Sequence, residues 1–594
     1  MNKLQELQAL LKNNNIAAYI IPTSDYHNSE YISEHFKARQ MISGFTGSAG
    51  TLLVMQNSAL LWTDGRYYIQ AQKELEGTNI TLMKQGQPSV PTIIQYINET
   101  LKPNDILGFD GRLMNAKFVI NMLKELKKGI AINSEVNFID EIWQNRPKLP
   151  FSILYKLDTF FCGKEYDEKI LEIRKKMKEL NTNTFILTKL EDQAWLYNLR
   201  GNDVKHTPVF LANTIITNDS VILFINQNKI DLTVEKYLYD NDIIIKPYFD
   251  FYEHLKNIRN KNILLDLNNI NYDTYKELAS DNQIIEANNP TTLLKAIKND
   301  VEIKNIKLAH IKDGLAFTKF MYYVKNLHIP SESSELSLSN ILEDYRKEQE
   351  GFVDISFDTI CAFKDHGAMM HYSANEDTNY KLNDSGLLLI DSGGHYLEGT
   401  TDITRTLAVG KITDTMKLHF TTVLKSVIAL SEAVFLKGCK GTNLDILARE
   451  PIWKLLIDYK CGTGHGVGYL LSVHEAPNGF RWQIVPERND SAVLEPGMIT
   501  TNEPGIYLEG QYGIRIENEL LCVNKAKNEF GEFLGFETIT YAPIDLDAIN
   551  PKLLTQKEKE WLNNYHHMVY ETLSPYMSIP EKKWLKTITR KIEI

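Results

Sequence analysis

The segment Leu387-Leu-Leu-Ile-Asp-Ser-Gly-Gly-His-Tyr-Leu-Glu-Gly-Thr-Thr-Asp-Ile-Thr-Arg-Thr406 decides how the rest of the chain is read. Four aliphatic residues, Leu387 to Ile390, run directly into Asp391. A glycine-containing turn follows, and a second strand is expected to carry Asp402, eleven residues further on. A strand of buried type that ends on a carboxylate is unfavourable unless something cationic sits beside it. The expected cation is a pair of divalent metal ions, to which the rest of the chain adds ligands or access. The turn Ser392–Thr401 is expected to bring two strand ends together and to take no part in chemistry.

Working outward, Ile403 and Leu407 share one face of the second strand, which leaves Asp402, Thr404 and Thr406 on the other. Downstream, Cys461-Gly-Thr-Gly-His-Gly-Val-Gly468 has four glycines in seven residues, a loop of close backbone packing from which His465 protrudes. Glu503 lies in Thr501-Asn-Glu-Pro-Gly505, at the end of a strand over Met498–Thr501. In Gly513-Ile-Arg-Ile-Glu-Asn-Glu519, Ile514 and Ile516 set one face, and Arg515, Glu517 and Glu519 the other. Each residue alone has a plainer reading. Asp391 could cap a turn, Asp402 could be an exposed strand residue, and Arg515–Glu519 could be a solvated sheet face. Read jointly, four carboxylates and one imidazole form a hard, oxygen-rich ligand set suited to Mn²⁺, Fe²⁺, Co²⁺ or Zn²⁺. Four negative charges would repel one another around one ion and match two. Such a pair activates water near neutral pH and polarises a carbonyl, which points to metal-assisted amide hydrolysis. His371 and His474 are candidates for hydrogen-bonding a substrate carbonyl or relaying a proton, with a structural role as the alternative for each.

Composition bounds the rest. A chain of 594 residues exceeds one core and by length predicts about three or four domains. Hydrophobic residues make up 43% and charged residues 24%, an ordinary globular balance. The net charge of −11 and pI near 5.8 argue against a general nucleic-acid binder. The five scattered cysteines form no C-x-x-C pair, which fits a reducing compartment and a cytoplasmic location. The first residues carry no apolar signal segment, and no apolar run is long enough to span a bilayer, so no membrane partner is expected.

In chain order, residues 3–13 predict an amphipathic helix with Leu4, Leu7, Leu10 and Leu11 on one face. Ala17–Ile21 predicts a strand. Gly50–Met55 and Ala59–Tyr68 predict two more, joined at Asn57-Ser58, and the α/β alternation runs to about residue 150. The next part repeats the plan: a helix near 166–180, a strand Asn183–Thr188, a short helix Asp192–Leu199, and strands Val209–Thr217 and Val221–Ile225. This predicts a diverged internal duplication. A long helix at about 293–326 is expected to open the part that carries the chemistry. Residues 545–594 predict a helical tail anchored by Trp561 and Trp584.

These motifs resemble the pita-bread metallopeptidases (family M24), and within them the long, three-domain form of Xaa-Pro aminopeptidase. The likeness rests on Asp391-Ser-Gly, Gly399-Thr-Thr-Asp-Ile-Thr-Arg-Thr406, Gly462-Thr-Gly-His-Gly-Val-Gly468, Val473-His-Glu475, Asn502-Glu-Pro-Gly-Ile-Tyr507 and Gly513-Ile-Arg-Ile-Glu-Asn518. It extends to Ser43–Thr51, Trp62–Tyr67, Ala194–Val204 and Asn564-Tyr-His566. The resemblance implies an α/β (α+β) fold. Two creatinase-like N-terminal domains (1–150 and 151–292) precede a pita-bread catalytic domain (293–540) and a helical extension (541–594). It implies that Asp391 chelates one ion, that Asp402 and Glu517 bridge both, and that His465 and Glu503 bind the other, usually Mn²⁺. Glu503 also helps activate the attacking water, His371 and His474 contact substrate, Arg515 braces the carboxylates, and Tyr507 lines a proline pocket. The implied reaction removes an N-terminal residue that precedes proline, a tertiary amide with no N–H and a fixed φ that general peptidase clefts accommodate poorly. A homodimer is implied as well. A dipeptide-restricted prolidase is the nearest alternative. An inactive peptide-binding module and an amidinohydrolase are opposed by the complete ligand set. Two departures stand out. Cys461 replaces the family's usual His, an altered donor and a thiol expected to be open to oxidation. Glu519 is expected to turn outward past a bulge.

Overall fold

The computed structural model describes residues 2–326, 333–382, 384–485 and 490–593. They divide into two compact units, Met1–Asp158 with Lys164–Thr292, and Thr159–Gly163 with Leu293–Ile594.

The first unit holds two six-stranded sheets. In space, one runs Ile80–Lys84, Ala59–Thr63, Thr51–Met55, Ala18–Pro22, Ile106–Gly108, Ala131–Asn133. The other runs Ile243–Pro247, Val221–Ile225, Ala212–Thr217, Thr184–Leu187, Asn262–Leu265, Gln283–Glu286. Numbered along the chain, both have the order 4-3-2-1-5-6, and every pairing has the same sense in both, antiparallel at 1-2 and 2-3 and parallel at 3-4, 1-5 and 5-6. The repeated plan read from the sequence is therefore repeated in topology. The N-terminal helix spans Lys3–Asn13, opens on an Asn2/Gln5 capping box, and buries Leu4, Leu7 and Leu11. The strand expected over Ala59–Tyr68 ends at Thr63, and a helix starts at Tyr68, because Asp64, Gly65 and Arg66 form a turn held by Arg66 on the Asp64 carboxylate at 2.7 Å.

The single helix expected over 293–326 is two, Pro290–Ala296 and Asp300–Asn326. The Asn299 side chain accepts from the N–H groups of Val301 and Glu302, and Glu302 returns a bond to the Asn299 N–H at 2.9 Å. The Lys298 N–H, freed from any helix, donates to the Gly497 carbonyl at 3.1 Å.

Gly386–Ser392 is the middle strand of a three-stranded antiparallel sheet between Ile360–Phe363 and Ile403–Val409. Both of its faces are covered. Leu388 and Ile390 pack with Phe317, Phe320 and Met321, Leu387 with Phe420 and Val423, and Leu389 with Ile360, Ala362 and Tyr372. Burial of four such side chains contributes roughly 6–12 kcal/mol. That outweighs the several kcal/mol of effective cost in drawing one carboxylate, Asp391, out of water. A six-stranded sheet (order Val434–Leu436, Gly531–Thr538, Asn518–Asn528, Ile499–Asn502, Gly464–Gly466, Glu475–Phe480), the hairpin Gly505–Leu508/Tyr512–Arg515 and a three-stranded antiparallel sheet (order Phe352–Ile355, Gly394–Tyr396, Gly399–Thr400) complete the strands described in this part, so the segment expected to be a plain turn, Ser392–Thr401, itself holds two short strands. The tail forms helices Gln556–Leu573 and Ile579–Ile588. Trp561 stacks on Tyr565 at 5.2 Å, and Trp584 meets Tyr322 edge-on at 5.5 Å. The Tyr565 hydroxyl and the carbonyl of Ala542 receive the buried Arg405 guanidinium, which also donates to the Glu517 carbonyl.

Candidate metal centre

Three of the five ligand candidates, Asp402, His465 and Glu517, come together directly, Glu503 lies against His465, and Asp391 is near enough for its charge to act on Asp402. Asp391 is paired with Thr404 across the Gly386–Ser392/Ile403–Val409 ladder. Asp402 precedes its expected strand, which begins at Ile403. The threonines on its side behave as the alternation predicts: Thr404 Oγ1 donates to Glu517 Oε2 at 2.7 Å, and Thr406 Oγ1 to the Arg515 carbonyl at 2.9 Å. His465 lies in a short strand and not in a loop. A Cβ on Gly464 would meet the Thr501 carbonyl oxygen at 1.8 Å, and one on Gly466 the Glu475 carbonyl oxygen at 2.2 Å, so glycine alone permits this backbone approach.

The His465 Nδ1–H donates to the Gly466 carbonyl at 3.0 Å, which leaves Nε2 facing Asp402 Oδ2 at 3.5 Å and Glu503 Oε1 at 3.3 Å. One ligand atom each from Asp402, His465 and Glu517 can be chosen so that all lie within 4.8 Å of one another. Asp391 Oδ1, Asp402 Oδ1 and Glu517 Oε1 are buried without a hydrogen-bond partner. Buried anionic oxygens with nothing to bond are what a divalent cation satisfies. The donors present therefore fit two hard ions.

Arg515, Glu517 and Glu519 are 3%, 1% and 0% exposed, so the solvated-face reading fails. Arg515 donates to Asp391 Oδ2 at 2.6 Å, to the Tyr507 hydroxyl at 2.7 Å and to the Met370 carbonyl at 3.4 Å. His371 follows Met370 in a turn. That segment is held by Glu335, whose carboxylate accepts from the Phe363 N–H at 2.7 Å, His366 at 2.9 Å, the Tyr372 hydroxyl at 2.8 Å and the Tyr380 N–H at 2.9 Å. The His474 ring meets the His465 ring edge-on at 4.2 Å. Glu519 does not turn outward. It is buried, and the reason is a bond from the Asp402 N–H to its Oε1 at 2.7 Å. The Cys461 thiol is pushed up to about 11 by burial and the nearby charge of Glu503, which opposes formation of the reactive thiolate at neutral pH. Thr501, which the sequence reading passed over, accepts from the His465 N–H at 3.0 Å and donates to Glu503 Oε1 at 3.1 Å.

Electrostatics agree with a site built for cations. Burial, followed by the charges of Asp402, Glu503 and Asp391, holds Glu517 well above the ordinary carboxylate range. Burial, with the charge of Asp391 and against the pull of His465, pushes Asp402 up to about 7. Without metal, the folded state keeps a proton on Asp402 up to about pH 7, whereas the unfolded chain releases it near pH 4. The folded state thus binds more protons in that window, and metal-free stability falls as pH rises through it. Glu517 acts in the same direction. Thermal melts between about pH 5 and 8 are expected to show a falling midpoint without metal and recovery with Mn²⁺. A metal-free midpoint that rises across this range would contradict the assignment.

Comparisons with known proteins cover the whole chain. A model of metallopeptidase family M24 matches residues 304–524, and one of the C-terminal region of that family matches 532–592. Models of the creatinase/prolidase N-terminal domain match 3–142 and 145–302. A probable Xaa-Pro aminopeptidase P of Talaromyces marneffei is 37% identical over 610 residues, covering 100% of this chain and 92% of the relative. One from Paracoccidioides brasiliensis is 36% identical, with 99% of each covered. Among solved structures, the X-prolyl aminopeptidase of Caenorhabditis elegans, described as a cytosolic enzyme with a di-nuclear active site, superposes with a TM-score of 0.92 at 32% identity over 97% of this chain and 95% of its own. An Xaa-Pro dipeptidase of Bacillus anthracis matches 64% of this chain with a TM-score of 0.51 at 26% identity.

Proposed function

From the premise that the chain belongs to metallopeptidase family M24, we propose that it is a dinuclear-metal aminopeptidase cutting the bond between an N-terminal residue and a following proline. The observation that carries this is the pairing of a full-length likeness to X-prolyl aminopeptidases with a buried donor set holding three orphaned carboxylate oxygens. The dipeptidase likeness stops at 64% of the chain.

Asp391, Asp402, His465, Glu503 and Glu517 would hold the two ions, for which we favour Mn²⁺. When bound, they supply Lewis acidity toward the scissile carbonyl and activation of water. The chain's own groups do the rest. In the metal-free protein burial opposes the Glu503 charge, but His465, Arg515 and His474 keep it below the ordinary carboxylate value. It therefore stands ready to take the proton of the attacking water and pass it to the proline nitrogen as the C–N bond breaks. In this reading His371 and His474 donate to the peptide carbonyl, and Tyr507, whose hydroxyl accepts from Arg515, lines the proline side. We assign the functional division as two creatinase-like domains, a pita-bread domain and a C-terminal extension.

We place the enzyme in the cytoplasm as a homodimer. Its five cysteines are all free thiols, and no helix among the described residues is long and apolar enough to cross a membrane. Leu456 and Ile484, 96% and 64% exposed, lie three and two residues along the chain from Trp453 and Trp482, whose rings meet edge-on, and we offer this stretch as part of the surface for a second copy.

The test is Mn²⁺-dependent release of the N-terminal residue from Arg-Pro-Pro and longer Xaa-Pro peptides, followed by chromatography beside Arg-Pro. Cleavage of the tripeptide that stops with chelator is expected. Turnover confined to dipeptides would make the enzyme a prolidase.

A further inference from the structure

Asp402 lies one residue ahead of the strand Ile403–Val409, and the ladder with Gly386–Ser392 ends at the pair Ser392–Ile403. Its buried N–H is therefore outside the sheet and needs an acceptor from elsewhere. Glu519 Oε1 supplies it at 2.7 Å. The other oxygen of that carboxylate lies 3.1 Å from Nε2 of His310, on the helix Asp300–Asn326, a close buried ion-pair contact whose angles do not make a hydrogen bond, and the two side chains are 0% and 2% exposed. Glu519 is itself fixed. Its N–H donates to Thr540 Oγ1 at 2.8 Å, and it sits opposite Thr501 in the ladder, the threonine that holds both His465 and Glu503.

Resting on the metal-centre reading above, we propose that Glu519 and His310 form a positioning pair for the metal site. His310 orients the Glu519 carboxylate, which fixes the Asp402 amide and with it the direction of the Asp402 carboxylate. Neither residue touches metal or substrate. Their work would be to hold one of the residues that would bind metal, Asp402, in one geometry from a rigid helix, as outer partners of metal ligands do elsewhere. Gln at 519 keeps the Oε1 acceptor and can donate to His310, whereas Ala removes both links.

The experiment is calorimetric titration of metal-free protein with Mn²⁺, run beside thermal melts of the same samples. Glu519→Gln is expected to bind two ions within about threefold of wild-type affinity, and Glu519→Ala to lose about 10–100-fold in affinity. His310→Asn, which frees one carboxylate oxygen but leaves the amide bond, is expected to fall between them and serves if Glu519→Ala does not fold. A merely structural role would lower melting temperatures and leave Mn²⁺ affinity unchanged in every soluble variant, which would overturn the proposal. Wild-type protein that binds no pair of ions would instead bring down the metal-centre reading on which it rests.

Discussion

Asp402→Ala is expected to leave a folded protein that no longer holds two divalent ions and has lost turnover of Xaa-Pro peptides by about a thousandfold or more, since several kcal/mol of transition-state stabilisation go with the metal pair. Asp402 is the ligand candidate with the widest reach. Its Oδ2 faces His465 Nε2 at 3.5 Å, its Oδ1 is buried without a partner, and a carboxylate oxygen falls within 4.8 Å of a Glu517 oxygen. Above about pH 7, where metal-free Asp402 is ionised, alanine removes one negative charge from a cluster in which burial presses Asp402 and Glu517 toward the protonated state. Metal-free Asp402→Ala is therefore expected to melt no lower than metal-free wild type, because the mutation relieves repulsion. Added Mn²⁺ should stabilise wild type and barely move the variant. Metal analysis of purified protein, peptide turnover and melts with and without Mn²⁺ read all three effects. A variant retaining two ions and wild-type turnover would show that Asp402 is not a ligand.

The parts of this site that could be read from sequence are those whose signal is local. Leu387 to Ile390 ending on Asp391 says buried strand and buried charge within five residues, and the structure covers both faces of that strand. Alternation along Arg515, Glu517 and Glu519 placed them together correctly, but a period of two gives a side and not a depth. The outward turn expected for Glu519 fails because the amide that needs its carboxylate belongs to a residue 117 positions earlier. His310 had no signal at all, as one polar residue within the long helix Asp300–Asn326. The break at Asn299 was hidden for a related reason. Apolar residues continue through Leu293, Leu294, Ile297 and Ile303, while the stop comes from an Asn cap and from Gly497, far along the chain. Asp402 missed its strand by one residue because the ladder starts where Ile403 meets Ser392, a register that one strand alone cannot reveal. That one residue exposes the Asp402 amide to a side-chain acceptor.

Arg515→Met is expected to combine a large loss of stability with a large loss of activity. Arg515 is 3% exposed and uses separate nitrogens for separate tasks. Nη2 serves Asp391 Oδ2 at 2.6 Å and the Met370 carbonyl at 3.4 Å, Nη1 the Tyr507 hydroxyl at 2.7 Å, and Nε Thr404 Oγ1 at 3.2 Å. Methionine fills much of the volume but leaves Asp391 buried with no cation when metal is absent, and breaking a buried pair in this way costs about 3–5 kcal/mol. Mn²⁺ can take over neutralisation of Asp391, so part of that loss should return on adding metal. The link from Asp391 to Tyr507 and the His371 turn cannot return, and turnover should stay down by about 100-fold, as when an outer partner of a metal ligand is lost. Arg515→Lys separates charge from geometry. One ammonium can reach Asp391 but cannot span Tyr507 and Thr404 as well, so it should recover stability more than activity. Urea melts with and without Mn²⁺, beside kcat and KM on Arg-Pro-Pro, distinguish these outcomes. Full activity in Arg515→Lys would show that the guanidinium fork does nothing beyond carrying charge, and an unchanged metal-free melt in Arg515→Met would show that Asp391 does not depend on it.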